Sequence, residues 1–201
     1  MITISPRAKS AEAASAHQLK ITLEGVGSPV WRRVLVPSSI TLARLHLVIQ
    51  ATMGWTNSHL YEFEVGDARY GLDDDEDDDF DSPSIDARKA TLGALSRAGS
   101  SFVYRYDFGD DWEHQIDVEE VLPQDSEARY PACVDGEGAC PPGDVGGAPG
   151  YEHFLAAISD PADAEHDEFL DWGRRVVRPK PFRTRLGQPA PGTPGWLGNL
   201  S

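Results

Sequence analysis

The chain has 201 residues, with 18 basic and 33 acidic side chains and a formal net charge of −15. This length suits one domain with tails better than two domains. The negative charge argues against general nucleic-acid binding, because phosphates repel it. Since no apolar run reaches about 18 residues, no membrane span is predicted. A start without an apolar signal core, together with two cysteines in the whole chain, predicts a cytoplasmic protein.

The first part of the chain predicts a hairpin followed by a helix. Residues 19–23 alternate between apolar and polar, which is the period of a half-buried strand, and residues 30–36 supply its partner. Apolar residues at spacings of three and four then predict an amphipathic helix over residues 42–53, ended by Gly54. His46 lies at the edge of the apolar face, so we expect a partly buried, hydrogen-bonded histidine rather than a ligand.

An acidic run follows the next predicted strands. Residues 61–65 alternate again and predict a third strand, with a short partner at 68–70. Residues 73–81 are all acidic except Phe80. Such a run repels itself and predicts a mobile loop. A calcium loop is the alternative, although the spacing of an EF-hand, with its central Gly and terminal Glu, is missing.

The rest of the chain predicts a second hairpin and further helices. A short helix is predicted at residues 91–98, followed by two strands at 102–106 and 112–118 that are joined by a turn. A Gly- and Pro-rich loop at 131–150 then leads to two helices at 151–158 and 163–172. The order has no strict β-α-β alternation. It therefore predicts an α+β fold, a mixed or antiparallel sheet roll with helices packed on one side.

The domain organisation follows from composition. We predict a disordered lead-in at residues 1–16 and one folded domain at 17–173, which includes an acidic mobile loop at 72–84. A basic, Pro- and Gly-rich tail then covers 174–201. This tail contains no acidic residue and six basic ones: Arg174, Arg175, Arg178, Lys180, Arg183 and Arg185. A basic tail can contact a phosphate backbone, or it can remain a solvated chain beside an acidic body.

The turn of the second hairpin is the first candidate site. Its sequence YDFGDDWEH places five ionisable residues around one turn: Asp107, Asp110, Asp111, Glu113 and His114. Carboxylates and an imidazole together can hold a divalent cation or act as an acid–base pair. The alternative is a structural turn, in which the aspartates accept hydrogen bonds from backbone amides and Trp112 fills the core.

The loop after this hairpin is the second candidate. Cys133 and Cys140 could begin a zinc site, which His114 or His153 would have to complete, since structural zinc takes four protein ligands. An ordinary structural loop is the alternative. The absence of a GK[ST] sequence after its glycines excludes a Walker P-loop. No cofactor is predicted, and a divalent metal remains the alternative.

Several motifs in the same order resemble the plasmid pRiA4b ORF-3-like family. They are LKITLEGVGSPVWRRVLVP, TLARLHLVIQATMGW, HLYEFEV, YDFGDDWEH and CPPGDVGGAPGYEHFL, and the resemblance runs from about residue 17 to about residue 172. The resemblance implies an α+β roll and an association with plasmids and mobile elements, where members are often labelled transposon resolvases. Gly143 stands where the family usually has Glu, and Val145 where it often has a third Cys. The Arg- and Pro-rich end also departs from the acidic, Phe-containing end of the family.

Three functions follow as hypotheses. The first is a non-enzymatic binding or interaction module with a protein partner, associated with plasmids or mobile elements. The second is a metal-dependent enzyme that uses Asp107, Asp110 and His114, with Asp144 and Tyr151 as supporting polar groups. The third is a DNA-associated resolvase accessory factor that contacts DNA through its basic tail.

Overall fold

The computed structural model describes residues 14–72 and 84–176. Within these residues there are eight strands, which form one mixed sheet, and four helices. This confirms the predicted α+β class. The strands are β1 (Ser15–Leu23), β2 (Val30–Pro37), β3 (Tyr61–Val65), β4 (Ala68–Gly71), β5 (Ile85–Asp86), β6 (Ser101–Tyr106), β7 (Trp112–Pro123) and β8 (Ala132–Glu137). The helices are α1 (Leu42–Met53), α2 (Leu92–Leu95), α3 (Gly147–Ser159) and α4 (His166–Val176).

The sheet has the strand order β5-β4-β3-β6-β7-β1-β2-β8. Neighbouring strands are antiparallel, except that β4 and β5 are parallel. Both predicted hairpins, β1–β2 and β6–β7, are confirmed by their registers. The first strand of the chain, β1, lies inside the sheet between β2 and β7.

The ends of α1 follow from local chemistry. Thr41 is the N-cap, and its Oγ1 accepts a hydrogen bond from the backbone N–H of Arg44 at 3.3 Å. Gly54 ends the helix in the left-handed conformation with φ 88°, and its N–H donates to the carbonyl of Gln50. A residue with a Cβ would be strained at that φ, so glycine suits this position.

One face of the sheet is buried and the other carries charged side chains. The buried face supplies residues such as Leu19, Ile21, Phe63, Tyr104 and Ile116, which form one core with Leu45 and Ile49 of α1 and Phe154 of α3. On the other face, Arg33 binds Glu119 at 2.7 Å and Arg105 binds Glu64 at 2.9 Å. The alternation seen in the sequence therefore separates the core from an ion-paired surface.

Strand β8 lies in a stretch that we predicted to be an irregular loop. It pairs with β2, with a register shift between Arg33 and Val34. Gly138, just after the strand, has φ 76°, and a Cβ there would lie 2.2 Å from the Pro29 carbonyl oxygen. A glycine that we interpreted as a sign of irregular structure is thus needed for the close approach of two chain segments. The two-residue strand β5 was also not predicted.

The ends of the folded region differ slightly from the prediction. Strand β1 begins at Ser15, inside the predicted lead-in, and the backbone of α4 continues to Val176, inside the predicted tail. The rest of the lead-in, most of the acidic segment with its calcium alternative, and the tail from residue 177 lie outside the described residues. No helix in the described part of the chain is long and apolar enough to cross a membrane.

Candidate functional site

Three loops meet at one end of the sheet. They are the α1–β3 loop (residues 54–60), the β6–β7 turn (107–111) and the β8–α3 loop (138–146). Because β3 and β6 are antiparallel neighbours, the residue before β3 lies opposite the residue after β6. Accordingly, the N–H of Asp107 donates to the carbonyl of Leu60 at 3.0 Å.

The β8–α3 loop is fixed to the other two loops. The indole N–H of Trp55 donates to the carbonyl of Pro141 at 2.9 Å. The N–H of Gly146 donates to Oδ2 of Asp110 at 3.3 Å, which joins this loop to the β6–β7 turn. Loops that are far apart in sequence therefore form one connected surface.

Each loop contributes one ionisable side chain to a cluster of His59, Asp107 and Asp144. The Nε2 atom of His59 lies 3.4 Å from Oδ2 of Asp107 and 3.2 Å from Oδ1 of Asp144. One atom from each residue can be chosen so that all three lie within 4.8 Å of one another. The Asp107 side chain is 10% exposed and that of Asp144 is 78% exposed. The cluster is thus anchored in the protein on one side and open to solvent on the other.

The second carboxylate oxygen of Asp107 shapes the turn. Its Oδ1 accepts hydrogen bonds from the N–H groups of Gly109 at 3.1 Å and Asp110 at 3.4 Å. This is the aspartate turn that the structural alternative predicted. It leaves Oδ2 directed toward His59, so one residue both builds the turn and supplies the cluster.

Unusual backbone geometry is concentrated around the cluster. In the described part of the chain, four non-glycine residues have positive φ: Asn57, Asp107, Asp111 and Asp144, at 57°, 59°, 52° and 59°. All four lie in the three loops, and two belong to the cluster itself. Asn and Asp tolerate this conformation better than other side chains, although at some cost in energy. Such residues collect at functional sites.

Two large apolar side chains flank the cluster in sequence. Leu60 is 52% exposed and follows His59, and Phe108 is 56% exposed and follows Asp107. The hydrogen bond between the backbones of Leu60 and Asp107 keeps these positions adjacent. Apolar and acidic groups therefore share the same end of the sheet.

A sequence model of plasmid pRiA4b ORF-3-like proteins matches residues 15–185. The chain belongs to this family. An uncharacterised protein of Sinorhizobium fredii (strain NBRC 101917 / NGR234), y4hQ, is 49% identical over 161 residues, covering 79% of this chain and 81% of that protein. The crystal structure of MM3350 from Methanosarcina mazei Go1, a protein of unknown function, has a TM-score of 0.71 at 32% identity and covers 80% of this chain and 90% of that one.

In this member of the pRiA4b ORF-3-like family, the predicted polar residues separate into two groups. Asp107 and Asp144 join the cluster, and Asp110 lies beside it, bound to Gly146. Glu113 instead faces the charged side of the sheet, where it binds Arg105 at 3.1 Å.

The other two predicted polar residues are inside the protein. His114 is fully buried, and neither of its ring nitrogens has a hydrogen-bond partner. Tyr151 is 3% exposed, and its hydroxyl donates to the carbonyl of Ala139 at 2.8 Å. Burial raises the pKa of Tyr151 to about 12. This hydroxyl holds the β8–α3 loop and does not reach the cluster residues with a hydrogen bond.

The four residues suggested for zinc lie in separate surroundings. Cys140 accepts a hydrogen bond from Arg32 at 3.0 Å, and both Cys133 and Cys140 are buried free thiols. Burial raises the pKa of each thiol. His153 binds Glu165 at 2.8 Å, while His114 lies in the aromatic core. In the described residues, the group with metal-ligating geometry is the His59 cluster instead.

His59 is the cluster residue that we did not predict from the sequence. It lies in the motif HLYEFEV, directly before a predicted strand, where nothing in the local sequence distinguishes a ligand from a loop histidine. Pairing that strand with the strand before YDFGDD would have placed residues 59–60 beside Asp107. The signal was therefore the strand order and not a motif.

Gly147 allows α3 to approach the β6–β7 turn. It has φ 68°, and a Cβ there would lie 2.6 Å from the carbonyl oxygen of Asp110. We expect Gly147→Ala to lower the free energy of unfolding by more than about 1 kcal/mol, because the φ is strained and the turn must move. Urea unfolding would measure this, with Gly143→Ala as the control, since a Cβ at Gly143 meets no atom within 4 Å. Equal stability of the two variants would contradict the prediction.

Proposed function

We propose that this chain is a binding module that holds a divalent cation between His59, Asp107 and Asp144 and uses this cation to bind its partner. The observation that carries the proposal is the convergence of three ligand atoms from three loops. Ligands about 2.0–2.1 Å from a tetrahedral ion lie about 3.3 Å from one another. The distances of 3.4 Å and 3.2 Å from His59 Nε2 to the two carboxylates agree with that spacing.

The donor set indicates the kind of cation. One imidazole nitrogen and two carboxylate oxygens suit zinc or manganese, whereas calcium and magnesium prefer oxygen donors alone. The alternative for the same geometry is a protonated His59 that forms an ion pair with each aspartate. The two hypotheses differ in whether an added cation stabilises the protein.

The rest of the coordination shell suggests how a partner would bind. Three protein ligands leave at least one position for an oxygen atom from outside. The exposed side chains of Phe108 and Leu60 would then pack against an apolar group next to that oxygen. A partner that offers a carboxylate beside an apolar side chain, as a protein segment does, fits both features.

A metal-dependent enzyme is the second candidate, because catalytic metal sites also keep an open position. This hypothesis retains Asp107 from the predicted constellation and replaces the fully buried His114 by His59. A DNA-associated accessory factor would depend on the basic tail, whose residues from Arg178 onward lie outside the described residues. The cluster itself carries two carboxylates, which do not favour contact with phosphate. No specific observation favours that third hypothesis.

The test is direct binding to protein freed of metal. We expect isothermal titration with zinc and with manganese to give one site per chain, and the melting temperature to rise with cation and fall again with EDTA. At a free concentration of 100 times Kd, the cation should add about 2.7 kcal/mol to the free energy of unfolding. The absence of both heat and melting shift would reject the proposal in favour of an ion-paired His59.

A further inference from the structure

A closed ring of hydrogen bonds joins the α1–β3 loop to the core through four residues: His46, Gln50, Asn57 and Tyr104. His46 Nδ1 lies 2.8 Å from the Tyr104 hydroxyl, and its Nε2 forms a short hydrogen bond with Oδ1 of Asn57. Gln50 closes the ring, because its Nε2 donates to the Tyr104 hydroxyl at 3.1 Å and its Oε1 accepts from the N–H of Asn57 at 2.9 Å. We call this set the buried polar ring, because His46, Gln50 and Tyr104 are buried, whereas Asn57 is exposed on the α1–β3 loop.

One arrangement of protons satisfies the whole buried polar ring. The Tyr104 hydroxyl accepts from Gln50 and donates to His46 Nδ1, so His46 Nε2 carries the other proton and donates to Asn57. Burial supports this arrangement, since it raises the pKa of Tyr104 and lowers that of His46. Both side chains are thus held in their neutral forms. The His46 ring also stacks on Tyr61, with centroids 3.7 Å apart.

The buried polar ring holds the segment that carries His59. Asn57 has φ 57° and is bound through its side chain to His46 and through its backbone to Gln50. The next residue, Ser58, donates its N–H to the Tyr106 hydroxyl at 3.1 Å. Burial raises the pKa of Tyr106, and hydrogen bonds from the backbones of Ser58 and His59 partly offset this rise. Each residue from 57 to 59 is thus fixed by a side chain of the core.

From these contacts we infer that His46 and Asn57 are positioning residues, which fix the backbone so that the imidazole of His59 faces Asp107 and Asp144. This inference rests on the proposed cation site. Removal of a hydrogen bond that orients a ligating histidine ring typically lowers metal affinity about 10- to 100-fold. We expect contacts that fix the backbone of that histidine to act in the same direction. The hydrogen bonds of His46 lead to Tyr104 and Asn57, so it reaches the His59 segment through Asn57.

Two variants and one control separate positioning from stability. Asn57→Gly keeps a backbone that adopts positive φ and removes the side-chain link to His46. His46→Phe keeps an aromatic ring beside Tyr61 and removes both ring hydrogen bonds. The control is His17→Phe, because His17 is equally buried and bound to Ser38, far along the sheet from the three loops.

We expect Asn57→Gly and His46→Phe each to weaken zinc binding about 10-fold or more in calorimetric titration. His17→Phe should bind zinc as the parent does, even where its melting temperature falls. The NMR resonances of the His59 ring, and the hydrogen exchange of the amides from 57 to 59, should change in the first two variants and not in the control. These NMR measurements are made without cation.

The two kinds of result keep the inference and the proposed function apart. A parent protein that binds no zinc rejects the cation site, and the NMR measurements then decide positioning by themselves. If Asn57→Gly and His46→Phe leave the His59 ring and the amide exchange unchanged, positioning is rejected, whether or not zinc binds. Zinc affinity that falls equally in His17→Phe would also reject it, since loss of stability alone would then explain the effect.

Discussion

Asp107→Asn is expected to weaken zinc binding by more than about 100-fold, which exceeds the usual effect of changing an outer contact. Asp107 supplies the most buried carboxylate of the cluster, 10% exposed. Asparagine keeps an oxygen to accept from Gly109 and Asp110, and it tolerates positive φ, so the turn should survive. What is lost is the negative charge that faces His59. Isothermal titration of apo protein would measure the change.

Asp110→Asn is the matched control for this substitution. Asp110 lies in the same turn, but its Oδ2 accepts from Gly146 and takes no part in the cluster. Its zinc affinity should change far less than that of Asp107→Asn. Equal losses in the two variants would show that cation binding follows the total charge of the turn, and the three-residue site would then be wrong.

Acidification is expected to remove about 3 kcal/mol of stability through His114 alone. Burial lowers the pKa of His114 to about 4 from an ordinary value of 6.5, although the backbones of Tyr104 and Trp112 partly offset this effect. Neither ring nitrogen has a hydrogen bond of good geometry, so burial dominates over these backbone contacts. Well above pH 6.5 the ring is neutral in the folded and in the unfolded state, so this contribution to the free energy of unfolding is fully present. As the pH falls from 6.5 toward 4, the unfolded chain takes up a proton that the folded chain does not, which corresponds to about 3 kcal/mol.

His114→Phe should remove this part of the acid sensitivity. Urea unfolding at several pH values from 4 to 7 would show a smaller loss in the variant. His46 and His17, whose pKa values burial also lowers, would account for part of the remainder. At pH 7 we expect the variant to be no less stable than the parent, because it removes an unpartnered polar group from the core. If the free energy of unfolding fell equally with pH in the parent and in His114→Phe, His114 would not be the source of the acid sensitivity.

Much of the fold could be predicted from periodicity, because the core is regular. Alternation gave the β1–β2 and β6–β7 hairpins, and the three-to-four spacing gave α1 with its stop at Gly54. His46, which we predicted to be partly buried and hydrogen-bonded, is hydrogen-bonded as expected and almost completely buried. Strand β8 was not predicted, since its glycines serve close packing against β2, and a single sequence does not reveal the partner that makes them necessary.

The cluster could be predicted only in part. Asp107 and Asp144 were candidates because of their residue type and their neighbours, yet His59 was not, because its role depends on β3 lying beside β6. His114 was a candidate because it shares a motif with Asp107. On the strand, however, its side chain points toward Tyr104 and into the core. Proximity in sequence is thus a poor guide to which residues form a site that combines loops from distant parts of the chain.

The interior place of β1 has a consequence for how the chain reaches its native state. Strand β1 pairs locally with β2, but its other edge pairs with β7, which is synthesised much later. Closing a long loop costs conformational entropy before the non-local contacts can form. Topologies with such pairing therefore fold slowly. Until β7 has been synthesised, one edge of β1 in the nascent chain has unpaired backbone groups. Such an edge can pair with a strand of another chain.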